Sequence, residues 1–153
     1  MKTLKTIAAI AALMVAGTAG AADMAEKRMS DMAFEMARCA GTLTAIAKAG
    51  QSESGYTGQD VLMIEDTARG YKVAAAYTMQ MVMLKQYGKT AEMGRVVEYQ
   101  VDPLADEEDR KILNDLRRGD YGYASSRIDY CLAIQPTVVG VVQLVRQSAA
   151  MSK

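Results

Sequence analysis

Residues 25–49 read AEKRMSDMAFEMARCAGTLTAIAKA, and their larger apolar side chains fall at Met29, Met32, Met36, Cys39, Leu43 and Ile46. Spacings of three and four without a break describe one stripe of an α-helix. The glycine at 50 and the polar run from Gln51 to Gly55 predict a loop after it. Cys39 stands in the middle of the stripe, so its sulfur is expected to face the core, where a cysteine on another helix can meet it.

The same period continues toward the C-terminus. Thr57 followed by Asp60 has the form of a capping box with the shorter acid. It opens a long helix reaching about Gln86, with Ile64, Ala68, Tyr71, Ala75, Thr78 and Val82 on one face. Gly70 weakens that helix, and a kink is expected there. Gly88-Lys89 interrupts the pattern.

Residues 90–101 suit two readings. Met93, Val96, Val97 and Val101 fit a helix face, whereas Val-Val-Glu-Tyr-Gln-Val has the residue types of a strand. No second strand is in view to pair with it, so helix is expected. Asp102 as N-cap, Pro103 at the first helical position, the acids at 106–109 and Arg117-Arg118-Gly119 at the far end then outline a further helix. Its inner side carries Leu104, Ile112, Leu113 and Leu116. Asp120 is expected to cap the next, which takes Ile128, Cys131 and Leu132 to the core. Pro136 is expected to bend or break the chain before a last stretch with Val138, Val141, Val142 and Val145 inward and Gln143, Arg146 and Gln147 outward. The fold expected is all-α: a single-domain helical bundle of four to six helices, the first and last joined by a disulfide.

Ahead of residue 25 the chain reads as an export signal. Lys2 and Lys5 precede an apolar stretch over residues 7–16, and Ala19-Gly20-Ala21 has the small residues of a cleavage site. Residues 1–21 are thus expected to be removed, leaving 22–153 as the domain. The apolar stretch is shorter than the ~18–20 residues a membrane span needs. No cysteine stands near the cleavage site to carry a lipid, and the n-region lacks paired arginines. Periplasm or secretion is the expected location, an oxidising one in which Cys39 and Cys131, the chain's two cysteines, are expected to join. The loop so closed, about 92 residues, is worth about 4–5 kcal/mol in the chain-entropy model.

Histidine is absent from all 153 residues. Serine–histidine and cysteine–histidine nucleophiles and histidine-ligated zinc, copper and haem are thereby excluded. Eighteen basic residues face eighteen acidic ones, and loss of Lys2 and Lys5 leaves a net charge of −2. The two signs are interleaved, which argues against nucleic acid as a partner. The cysteines do not form a C-x-x-C pair. Gln135, Pro136 and Gln143 interrupt the apolar C-terminal stretch, which argues against a membrane span there.

Three kinds of candidate site remain. Glu35, Glu65 and Asp66 lie near apolar stripes and are the acids a histidine-free carboxylate enzyme would use. Among twelve methionines, Met29, Met32 and Met36 line one stripe and offer thioethers to a soft ion such as Cu(I), although the same spacing suits core packing. Of Met79, Met81 and Met83 only the first and last share a face. Tyr121, Tyr123 and Tyr130 are amphipathic anchors of the kind enriched at interfaces. The expected function is that of an exported, non-enzymatic, cofactor-free helical protein that binds a protein partner or a small apolar ligand held between helices. Soft-metal binding through Met29, Met32 and Met36 and carboxylate catalysis are the alternatives.

Overall fold

A computed structural model describes residues 19–52 and 55–151, with side chains from residue 25 onward. Of the expected signal peptide, residues 1–18 lie outside the described part. Four helices make the fold: α1 (Ala19–Ser52), α2 (Gly58–Tyr87), α3 and α4 (Gly122–Met151). The third runs without interruption through an α-helical turn (Met93–Val96), a π turn (Val97–Val101) and a longer α-helix (Asp102–Arg117). No strand occurs among the described residues, so the ambiguous stretch at 90–101 is helical where it is ordered into an element.

The first helix is the axis of the bundle and touches the other three. Gln51 meets Glu65 at one end of the α1–α2 pair and Glu26 meets Lys85 at the other, so these helices are antiparallel. Between them lies a core built largely of alanine: Ala33, Ala37 and Ala40 from α1, and Ala74, Ala75 and Ala76 from α2. Met36, Cys39, Tyr71 and Met79 fill the spaces that such small side chains leave, while Met32 and Leu43 are only partly covered. Small residues let two helix backbones approach closely. Gly41 shows the limit, since a Cβ at that position would lie 2.1 Å from the carbonyl oxygen of Ala105 in α3.

The expected cap at Asp102 is not a boundary. Its backbone N–H bonds to the carbonyl of Val97, five residues back, and the helix continues through it. Pro103 explains the wider turn: it has no N–H to give, and opening the ladder just before it accommodates the ring. The extra residue also sets the register. Val96, Val101, Ala105 and Ile112 are all buried, and the five-residue step from the first to the second keeps one face only across a π turn. Asp102 spends its carboxylate on Lys72 of α2, 2.7 Å away.

Thr57 and Asp60 form the capping box expected of them, and Gly88 closes α2 in the left-handed conformation at φ 66°. The two hydrogen bonds from Thr57, from its hydroxyl and from its backbone, hold the Asp60 carboxyl below its ordinary range. Pro136 neither ends nor divides α4, contrary to expectation. It lies on the outward side, as does Leu132, whose carbonyl loses its helical partner to the proline. Leu132 is itself 57% exposed and not a core residue. The inward positions of α4 are Ala124, Cys131, Ile134 and Val138.

The predicted disulfide joins α1 to α4 between Cys39 and Cys131, with the Cα atoms 5.5 Å apart. Tyr71 anchors the same point from α2, its buried hydroxyl donating to the carbonyl of Cys131. Burial pushes that phenol up to about 12.

Candidate functional site

One helical turn before each bridged cysteine stands a charged residue, Glu35 before Cys39 and Arg127 before Cys131. The disulfide brings the two turns together, and Arg127 Nη1 donates to Glu35 Oε2 at 2.8 Å. The Nε atom of Arg127 lies 3.2 Å from Glu108 Oε1, on an acid only 5% exposed. Tyr123 donates its hydroxyl to that same oxygen at 2.8 Å, and Lys111 sits over the Tyr123 ring. Glu35 also accepts from Arg38 at 3.0 Å. Burial works against the charge on Arg127, but Glu35 and Glu108 outweigh it and hold the guanidinium above its ordinary value. Tyr130, beneath the same guanidinium, is raised by burial and by the charge of Glu35 against the opposing pull of Arg127.

This cluster is a neutralised network. Each carboxylate in it has a cation or a hydroxyl within bonding distance, which is what a buried charge needs to persist. Neither Glu108 nor Arg127 stands out in the sequence on its own, since Glu108 reads as one of four acids near a helix start. The signal that points to Arg127 is its place four residues before a cysteine, matched by Glu35 before the other.

The other acids lie elsewhere. Glu65 is near the start of α2 beside Gln51, and Asp66 is paired with Arg69 on the exposed side of that helix. Along α1, Gln51 is about 24 Å from Glu35 at 1.5 Å per residue, so the three candidate carboxylates do not share a cleft. Asp109 turns Oδ2 toward Lys48 Nζ at 2.5 Å. Among the described residues, no group of three or more histidine, cysteine, aspartate or glutamate side chains is placed to hold a metal ion.

The methionines divide. Met36 is buried in the core, Met32 packs against it from the edge, and Met29 is half-buried one turn earlier. Met79 is buried, while Met83 is partly open and lies against the Gln100 amide at 3.8 Å. The two expected to share a face do so, and the face is a groove of about 230 Å³. Phe34 of α1 and Tyr87 of α2 form its rims, 41% and 68% exposed, with Val82, Met79 and Met83 beneath. A second open cleft of about 320 Å³ lies at the other end of α2, around Tyr56, Val61 and Leu62.

Of the three tyrosines, Tyr121 is fully outward, Tyr130 is partly covered by Arg127, and Tyr123 is committed to Glu108. Helix α4 is long and apolar enough, by length and composition, to cross a membrane. Only 11% of its apolar stretch is buried, and Cys131, Ile134 and Val138 are the buried residues of its middle that join the bundle core. Comparison of the chain with protein-family models, with curated proteins and with solved structures returned no match.

Proposed function

We propose that the protein is exported and works by binding a protein partner, with the groove between Phe34 and Tyr87 receiving the partner's apolar side chains. The observation that carries this reading is the groove itself: two aromatic side chains are left exposed at its rims while a polarizable floor of Met79 and Met83 lies between them. Methionine adapts its shape to what it meets, and aromatic rims supply contact area at low entropic cost. Of the candidate acids, Glu35 and Asp66 are paired with arginines and Glu65 meets only the Gln51 amide, far from Glu35, which favours binding over carboxylate catalysis. Met36 is enclosed by hydrocarbon, which favours packing over a soft-metal role for Met29, Met32 and Met36. The alanine-lined interior favours a partner that docks on the surface over a ligand held between helices.

The test is photo-crosslinking in the producing cell, with a photoreactive phenylalanine analogue in place of Tyr87 and, as control, in place of Tyr121. A discrete adduct from position 87, absent from position 121 and abolished by Phe34→Asp, is the expected result. Equal adducts from both positions, or none from position 87, would overturn the assignment.

A further inference from the structure

The last helix carries two seams. Its inner one, Ala124, Arg127, Cys131, Ile134, Val138, Val141 and Val145, steps by three and four and faces the bundle. On the opposite side Asp129, Leu132, Pro136, Val139, Gln143 and Arg146 repeat the same alternation, and every one of them is exposed. Leu132 and Val139 are the large apolar members, 57% and 47% exposed. The apolar middle of this stripe, Leu132, Pro136 and Val139, steps by four and three, the spacing by which one helix packs along another. Nothing within the described chain covers them.

We propose that this outer seam is the contact between two copies of the chain, with the two α4 helices antiparallel about a two-fold axis. Charge placement selects both the occupant and the direction. Asp129 and Arg146 bracket the apolar centre, and neither has an ion-pair partner among the described residues. Antiparallel pairing about the point between Thr137 and Val138 sets Asp129 opposite Arg146 of the second copy, and the reverse at the other end. The same register sets Leu132 against Gln143 and Pro136 against Val139, so all six positions find partners in one arrangement. A parallel pair would oppose acid to acid and arginine to arginine. A two-fold contact is self-complementary by necessity, and this surface is.

Sedimentation velocity of the oxidised protein tests the proposal. A concentration-dependent dimer is expected, and Leu132→Lys or Val139→Lys should leave a monomer with unchanged far-ultraviolet circular dichroism, since both positions are at the surface. Asp129→Arg should weaken the dimer roughly tenfold by turning two attractions into repulsions, and adding Arg146→Asp should restore it. Wild-type protein that stays monomeric, including protein that instead floats with phosphatidylcholine vesicles, overturns the proposal. So does a dimer indifferent to Asp129→Arg, or a double exchange that fails to recover it.

Discussion

Gly41→Ala adds one methyl group to the centre of α1, and the structure states what it meets. The new Cβ would lie 2.1 Å from the carbonyl oxygen of Ala105 and 2.9 Å from its carbon, where ordinary contact begins near 3.4 Å. The overlap of about 1.3 Å is with backbone, so no rotamer change relieves it and α3 must move away. Overpacking of this kind costs about 1–3 kcal/mol, and a rigid neighbour puts the cost at the upper end. Alanine's better helix propensity returns about 1 kcal/mol, leaving a net loss of about 2 kcal/mol. With an unfolding entropy of about 2.1 cal/mol/K per residue over roughly 130 residues, that is a fall in Tm of about 7 °C. Gly70→Ala is the internal control, because a Cβ there meets nothing within 4 Å. It is expected to raise stability by about 0.5–1 kcal/mol. Thermal and urea unfolding followed by circular dichroism read both. A Gly41→Ala protein as stable as the wild type, or stabilised alongside Gly70→Ala, would refute the close α1–α3 approach.

Further outcomes follow from the disulfide and its surroundings. Replacing Cys39 and Cys131 together with alanine removes a cross-link over 92 residues and should cost about 4 kcal/mol in urea unfolding; a loss below about 1 kcal/mol would contradict it. Arg127→Met strands Glu108 without its cation and should cost about 3 kcal/mol, whereas Arg127→Met with Glu108→Gln should cost less than the single change, a sign only charge burial produces. Tyr71, raised to about 12 from an ordinary value of 10.0, holds its proton more tightly when folded. Its contribution is therefore whole below pH 10 and lost as pH climbs toward 12, so wild-type Tm should fall more steeply over that range than that of Tyr71→Phe, and parallel curves would count against it.

The helices and the bridge are legible in the residues because their signals are local. The Thr57–Asp60 box, Gly88 and the three–four spacing around Cys39 each act within a turn or two. What escapes is set by distance. The stripe drawn through Met29, Met32, Met36, Leu43 and Ile46 follows side-chain size, yet the face that meets α2 is marked by Ala33, Ala37 and Ala40. Alanine is common on any helix face, so its pattern reveals a seam only once the partner's alanines are opposite. The Asp102-Pro103 pair fails as a boundary for a related reason: a π turn satisfies the proline as well as a helix start does, and tertiary burial of Val96 and Val101 chooses between them.

The same logic explains why α4 is the hardest element to interpret from sequence. A helix with one apolar stripe announces its orientation by contrast with a polar face. Here Ile134, Val138 and Val141 face the bundle while Leu132, Pro136 and Val139 face away, so the contrast is nearly erased and the segment passes equally for a buried strand, a core helix or a membrane span. The disulfide breaks the ambiguity. By fixing Cys131 against Cys39 it commits one stripe to the interior, and period alone then places Asp129, Leu132, Val139 and Arg146 on the outside. A helix that needed only to be buried on one side would gain from polar residues at those outer positions. Apolar side chains kept there between one acid and one base are the feature that a second surface accounts for.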